Sequence, residues 1–336
     1  MDGVNEPYKV LIVGAGKIAG GFDAHRATEQ PPLTHAKAFV QHGGFKLSGV
    51  IEPDPEKRHA FCQRWHIPEA SDSLESMRTF AGAFDVISIC STTSSHRADL
   101  QAAIALRPKL IFCEKPLTTS VDSSREAVKA CDEAGILLAV AHLRRWAPDM
   151  VRLRSELRQR HWGALRSVQA TYNKGVLNNG SHMLDLLNYL LGDLTVTAVG
   201  RPVVDAFPED PSVPALLSAA DALPIHLSIG DAGDYAHFEM QIIAEKGVIA
   251  MENGGARWRL RRVIDSAIFE GYRELDQGQV VQGEVESAFR YAIANIFSAL
   301  SEDAPLSSTG HTALSAQVLC EHLRESALEV AVPHAI

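Results

Sequence analysis

The sequence predicts an α/β protein: a doubly wound parallel sheet in the N-terminal part, then a second α/β domain with a large open, mainly antiparallel sheet. Three observations predict it. The chain has 336 residues, more than one compact core usually supports. Its first 140 residues alternate continuous apolar runs with helix-like stretches, the pattern of parallel strands covered on both faces. Beyond about residue 150 the runs follow one another through the turn-like DALP, DAGDY, EKG and GGA, with little helix between them.

In order, YKVLIVGAG, FKLSGVIE, FDVISIC, KLIFCE and GILLAVAH are the strands of the first sheet. ALRSVQATYN, VTAVGRPVV, PALLSAA, IHLSIGD, HFEMQIIA, GVIAMEN and RWRLRRVI are those of the second. Helical spacing returns over 284–300 and 311–329. The expected division is 1–122 for the parallel-sheet domain, 123–310 for the open-sheet domain and 311–336 for a C-terminal helix able to pack back on either, the N-terminal one included.

Composition narrows the class. With 46% hydrophobic and 22% charged residues, the chain falls outside disordered and collagen-like sequences. Its longest apolar run, GILLAVA at 135–141, is far short of the roughly 20 residues that cross a bilayer. The start, MDGVNEPY, lacks a charged-then-apolar leader, so a cytoplasmic location is expected. Cysteines 62, 90, 113, 131 and 320 show no CxxC spacing, which argues against disulfides and structural zinc. A net charge of -9 disfavours a nucleic-acid partner, while leaving room for a local cationic pocket.

The first strand ends in Gly14-Ala15-Gly16-Lys17-Ile18-Ala19. A glycine makes the tight turn, a second admits a pyrophosphate against the backbone, and a small third residue lets helix and strand pack. With the β/α rhythm around it, this reads as a Rossmann dinucleotide site in which Gly14, Gly16, Lys17 and Ile18 meet the cofactor and a helix N-terminus supplies amides. Glu52 ends the second strand, where a carboxylate accepts the adenosine ribose hydroxyls and repels a 2'-phosphate, favouring NAD over NADP. The competing reading of Glu52 is a solvated loop acid. The 36-residue separation of Gly16 from Glu52 exceeds the usual ~20. The excess, GFDAHRATEQPPLTHA, reads as a surface loop leading to a helix capped at Thr34, in preference to a metal site at His25 and His35.

Ligands of an open parallel sheet gather at the carboxyl ends of its strands. The segments CSTTSSH (90–96) and Glu114-Lys115-Pro116 leave strands at that edge. An ammonium there can hydrogen-bond a substrate hydroxyl and stabilise the alkoxide that develops as hydride leaves carbon. The bland alternative is a solvated lysine cap.

EKP resembles the signature of the glucose-fructose oxidoreductase and inositol dehydrogenase family, Gfo/Idh/MocA. So do GAGKIA, the acid after strand two, SICSTTSSH, RRWAP (144–148) and NNGSHMLDLLNYLLGD (178–193), over nearly the whole chain. The resemblance implies an NAD-dependent dehydrogenase with a Rossmann domain and an open sheet used in homodimer or homotetramer contacts. It implies that Lys115 and His182 flank the reacting carbon and that Ser91, Thr92, His96 and Glu114 lie near the cofactor. NNGSHMLDLL resembles members acting on nucleotide sugars in cell-envelope polysaccharide pathways, so the specific expectation is oxidation at C3 of a UDP-N-acetylhexosamine such as UDP-N-acetylglucosamine. The alternatives are a free-sugar or inositol dehydrogenase, a keto-sugar reductase, or, in another class, a non-catalytic NAD-binding regulatory protein.

Ser181 is expected to cap a helix running to Tyr189 or Leu191 and stopped by Gly192, with His182 in its first turn. A neutral imidazole there can take the hydroxyl proton; a hydrogen-bonded helix-start histidine is the plain alternative, and no further ligand makes His182 and Asp185 a metal pair. Asn178 stands where many relatives carry aspartate, so it brings no charge to an imidazolium but can contact substrate. Tyr172 is a reserve proton donor or an ordinary sheet-edge aromatic. Arg144 and Arg145 either grip a phosphate or hold an interdomain hinge.

Overall fold

The computed structural model describes residues 6–331, so the reading of the start, MDGVN, and residues 332–336 of the C-terminal helix reading lie outside the described residues. One unit comprises the chain up to Trp146 with Glu286–Leu314; the other comprises Ala147–Val285 and the chain from Ser315 onward.

In the first unit β1 (Tyr8–Val13), α1 (His35–His42), β2 (Phe45–Ile51), α2 (Pro55–Trp65), β3 (Glu69–Ser71), β4 (Val86–Ile89), α3 (Thr93–Ala105), β5 (Leu110–Cys113), α4 (Val121–Ala134) and β6 (Leu137–Val140) form a parallel sheet in the order β3-β2-β1-β4-β5-β6. Val10, Leu11 and Ile12 are fully buried because helices cover both faces. Each such side chain contributes about 1.5–3 kcal/mol of transfer free energy. Thr34 caps α1, and Asp54 caps α2 by accepting the Glu56 and Lys57 amides at 3.0 and 3.1 Å. The boundary expected at 122 falls instead at Trp146. β6 hydrogen-bonds along β5 and so completes this sheet.

The second unit contains α5 (Pro148–Arg158), β7 (Leu165–Tyr172), a π-helical turn at Gly175–Gly180 that runs into α6 (Ser181–Leu191), and β8 (Thr195–Val199). There follow β9 (Val203–Phe207), β10 (Asp210–Ser212), β11 (Ala215–Ala219), β12 (Leu223–Ile229), β13 (Phe238–Ala244), β14 (Gly247–Glu252), β15 (Arg257–Asp265), β16 (Arg273–Leu275) and β17 (Gln279–Gln282). The large sheet runs β16-β15-β14-β13-β7-β12-β11-β8, with β17 on β15, and is antiparallel except where β7 pairs with β12. Alternation sets its two faces: in β12, Leu223, Ile225 and Leu227 are buried while Pro224, His226 and Ser228 are exposed. VTAVGRPVV, expected as one strand, divides at Gly200–Pro202 into β8 and β9, since proline has no amide for a ladder. Among the described residues β9 pairs only with β10, forming a separate ribbon.

The chain then returns to the first unit as α7 (Ala288–Ser301), whose Phe289, Ala292, Ile293 and Ile296 join the core beside β1. The last helix, α8 (Gly310–Ala331), contributes its first turn to the first unit, with Ala313 in the core, and its remainder to the second.

Candidate active site

The glycine turn after β1 requires glycine at its first position. Gly14 has φ +88°, and a Cβ there would stand 2.9 Å from the Ser91 amide nitrogen. At Gly16 a Cβ would meet nothing within 4 Å, so the backbone lies open to a cleft of about 960 Å³. Gly14, Gly16, Lys17 and Ile18 line that cleft on one side, and Glu52, Ser91 and Thr92 line it elsewhere. The Glu52 carboxylate accepts the Ala15 amide at 2.8 Å and the Asp54 amide at 3.1 Å, keeping lone pairs for further donors. The expected helix after the glycines is only a turn: Gly20 and Gly21 both donate to the Gly16 carbonyl, and α1 begins after the insertion. Adjacent glycines and the buried Asp23 explain why the helix does not continue.

His96 and Glu114 do not line this cleft. His96 is 1% exposed, with Nδ1 2.9 Å from the Pro116 carbonyl oxygen and Nε2 3.1 Å from that of Ser91, so it ties the loop after β4 to the EKP turn. Glu114 faces the insertion: its Oε1 lies 2.9 Å from His35 Nε2, and His35 Nδ1 lies 2.8 Å from Ser88 Oγ. Burial alone would depress the His35 pKa, but Cys90 and Glu114 beside the ring more than offset it and raise it to about 10. Burial raises that of Glu114, yet His35 and Lys115 together hold it below its usual value. Sequence reasoning missed His35 as a partner of EKP and marked it only as following the Thr34 cap and, with His25, as a disfavoured metal site. Lys115 follows at the carboxyl end of β5, its amide donating to Glu114 at 3.2 Å, and the Lys115–Pro116 peptide is cis.

In the second unit Tyr172 is no proton donor. It is fully buried, its hydroxyl donates to the Val213 carbonyl at 3.0 Å and accepts the Val213 amide at 2.8 Å, and burial pushes its pKa far above the usual phenol range. α6 ends at Leu191 before Gly192, with His182 as its second residue. Ser181 is not the cap: its hydroxyl donates to the Asn178 carbonyl at 2.9 Å, and helical structure begins earlier, at Gly175. The Asn178 side chain donates from Nδ2 to the Lys174 carbonyl at 3.1 Å. Arg144 and Arg145 lie in a 3-10 turn, Leu143–Trp146, of the first unit, where Arg145 is 6% exposed and donates to the Ser307 carbonyl at 3.5 Å. That contact ties Arg145 to the framework of the first unit.

A glycine turn open to a large cleft, an acid at the second strand end and a lysine at the edge define a dinucleotide-dependent oxidoreductase. Through residues 8–142 the chain matches the oxidoreductase family with an NAD-binding Rossmann fold, Gfo/Idh/MocA. It is a dehydrogenase whose cofactor is NAD, and the residues around the cleft fit one: backbone open at Gly16, carboxylate at Glu52. Inositol 2-dehydrogenase of Rhizobium meliloti (strain 1021) is 24% identical over 341 residues, spanning 95% of this chain and 96% of that protein. The WlbA dehydrogenase of Bordetella pertussis, solved with NADH and UDP-GlcNAcA, shares the fold at TM-score 0.76 and 17% identity, over 97% of each chain. UDP-N-acetylglucosamine 3-dehydrogenase GnnA of Acidithiobacillus ferrooxidans shares it at TM-score 0.72 and 18% identity, over 97% of this chain and 99% of that one. Among the described residues no group of three or more His, Cys, Asp or Glu is arranged to hold a metal ion, and no helix is long and apolar enough to cross a membrane.

Proposed function

We propose that the chain oxidises a secondary ring hydroxyl of a sugar or cyclic polyol, with Lys115 and His182 as the catalytic pair. The observation that carries this is Lys115 at the carboxyl end of β5, in a turn tied by His96 to the cleft loop and backed by the Glu114–His35 pair. NAD, when bound, accepts the hydride. The open backbone at Gly16, beyond the tight turn at Gly14, receives the pyrophosphate, Glu52 accepts ribose hydroxyls and disfavours a 2'-phosphate, and Ser91 and Thr92 border the same cleft. The Lys115 ammonium donates to the substrate oxygen and stabilises charge on it, while His182 takes the hydroxyl proton as the C–H bond breaks. Likeness to an inositol 2-dehydrogenase along nearly the whole chain supports a free cyclic polyol or sugar.

A second reading is oxidation at C3-OH of a UDP-N-acetylhexosamine such as UDP-N-acetylglucosamine. It rests on the segment NNGSHMLDLL and on the fold shared with GnnA and WlbA. One experiment separates these readings: NAD reduction followed with myo-inositol, free sugars and UDP-N-acetylglucosamine, with NAD affinity measured separately. Lys115→Ala should abolish turnover and leave NAD affinity intact, and His182→Ala should slow it by on the order of 100-fold. Wild-type rates in both variants would remove the pair from the mechanism. Tight NAD binding without reduction on any substrate would favour a regulatory protein.

A further inference from the structure

The segment that carries Asn178 and His182, KGVLNNGSH over 174–182, contains no carboxylate of its own. Its helical structure starts at Gly175 and passes without a break into α6. A helix start leaves its first amides without partners inside the helix, and here another element supplies them. Asp210, on β10, accepts the Leu177 amide with Oδ1 and the Asn178 amide with Oδ2, both at 2.8 Å. Ser212 accepts the Gly175 amide at 2.9 Å, and Asp205 on β9 accepts that of Lys174 at 2.8 Å and the Ser212 hydroxyl at 3.0 Å. Gly175 makes room for this: its φ is +82°, and a Cβ there would stand 2.2 Å from the Asp210 carboxylate.

We propose that Asp210 is a positioning residue for the catalytic segment, a helix-capping carboxylate delivered by the β9–β10 ribbon to the main chain of Leu177 and Asn178. The proposal rests on the reading of Asn178 and His182 as substrate-side residues. The segment itself offers the neutral Asn178, and Asp210 brings a charge in beneath its backbone. There it meets the positive end of the helical run and fixes the turn from which His182 projects. Burial raises the Asp210 pKa, and the two amides act against that. Arg324 on α8 also opposes the rise, while Glu321 on α8 and Asp205 on β9 are the acids nearby.

The test compares full-length, NAD-loaded wild type with Asp210→Ala and the isosteric Asp210→Asn. The readouts are turnover of myo-inositol and of UDP-N-acetylglucosamine, NAD affinity, melting temperature and amide exchange over 174–182. Asp210→Ala should lower kcat by on the order of 10- to 100-fold, the scale of a misplaced catalytic group. NAD affinity should be unchanged, and exchange over 174–182 should accelerate. Asp210→Asn keeps one acceptor oxygen and should recover part of kcat. A ribbon that merely stabilises the fold would lower the melting temperature and leave kcat of the folded protein alone, and that result overturns the proposal. So does unchanged exchange over 174–182 in both variants. If Asp210→Ala does not fold, wild-type kcat in Asp210→Asn is decisive against it. His182→Ala is the control for the underlying reading: wild-type turnover there means that the functional assignment of the segment has failed, whereas lost turnover there beside normal Asp210 variants means that only the positioning role has.

Discussion

His35 shows what a single buried side chain adds behind a catalytic lysine. It sits in the insertion between the glycine turn and β2, fully buried, and bridges Ser88 to the carboxylate of Glu114. Its pKa in the folded chain rises from 6.5 to about 10. A group raised in the native state stabilises fully below its unfolded pKa, and that contribution fades as pH climbs through the native value. Glu114 moves the other way, so its share is present above the ordinary glutamate range and is lost in acid. The expected outcome is that His35→Asn costs most stability in the window where both groups are charged, mildly acidic to neutral pH. The gap from wild type should narrow as pH rises from 6.5 towards 10. Urea unfolding midpoints of both proteins across that range check it, and a gap independent of pH would mean that His35 is neutral in the native chain. The role of His35 was not readable in the sequence because its partner Glu114 lies 79 residues away. Glu52, by contrast, was legible from its place at the end of a strand.

At the scale of elements, the segment 175–191 departs most from what its sequence suggested. Gly192 and the apolar spacing gave the end of α6 correctly. Ser181 was the wrong start, because the ribbon beneath satisfies the amides of an earlier turn. This changes the expectation for Asn178→Asp. Asn178 Nδ2 donates to the Lys174 carbonyl, which an ionised carboxylate cannot do, and a new charge would stand close to Asp210. Asn178→Asp should therefore weaken substrate affinity by about 1 kcal/mol, the scale of one lost hydrogen bond, with NAD affinity unchanged. Steady-state kinetics across pH will measure this. Faster turnover at unchanged substrate affinity would point instead to a proton relay that lacks its acid. Tyr172 belongs to the same scale: its position at a strand end was readable, but the Val213 main chain that occupies its hydroxyl was not.

For the whole molecule, the outward face of the large sheet carries the remaining expectation. Strand register places Leu216, His226, Gln169, Gln241, Ala250 and Arg259 in one row across six strands. The middle of that row is uncharged, and Leu216 at its end is 45% exposed, a surface suited to burial against a second copy. Light scattering on the purified chain should give a homodimer or homotetramer, and Gln241→Lys should shift it towards monomer; a monomeric wild type would end this reading. The sequence alone determined the fold class, most of the strand runs, and the places of the glycine turn, Glu52 and Lys115 at strand ends, because these follow from local spacing and backbone demands that neighbouring residues encode. The tertiary structure alone decided that His35 backs Glu114, that Asp210 holds the turn of Asn178 from 32 residues away, that Tyr172 is sealed and that β6 belongs to the first sheet. These depend on which distant groups meet in low dielectric, where pairing and desolvation fix both geometry and charge, and no local pattern records such meetings.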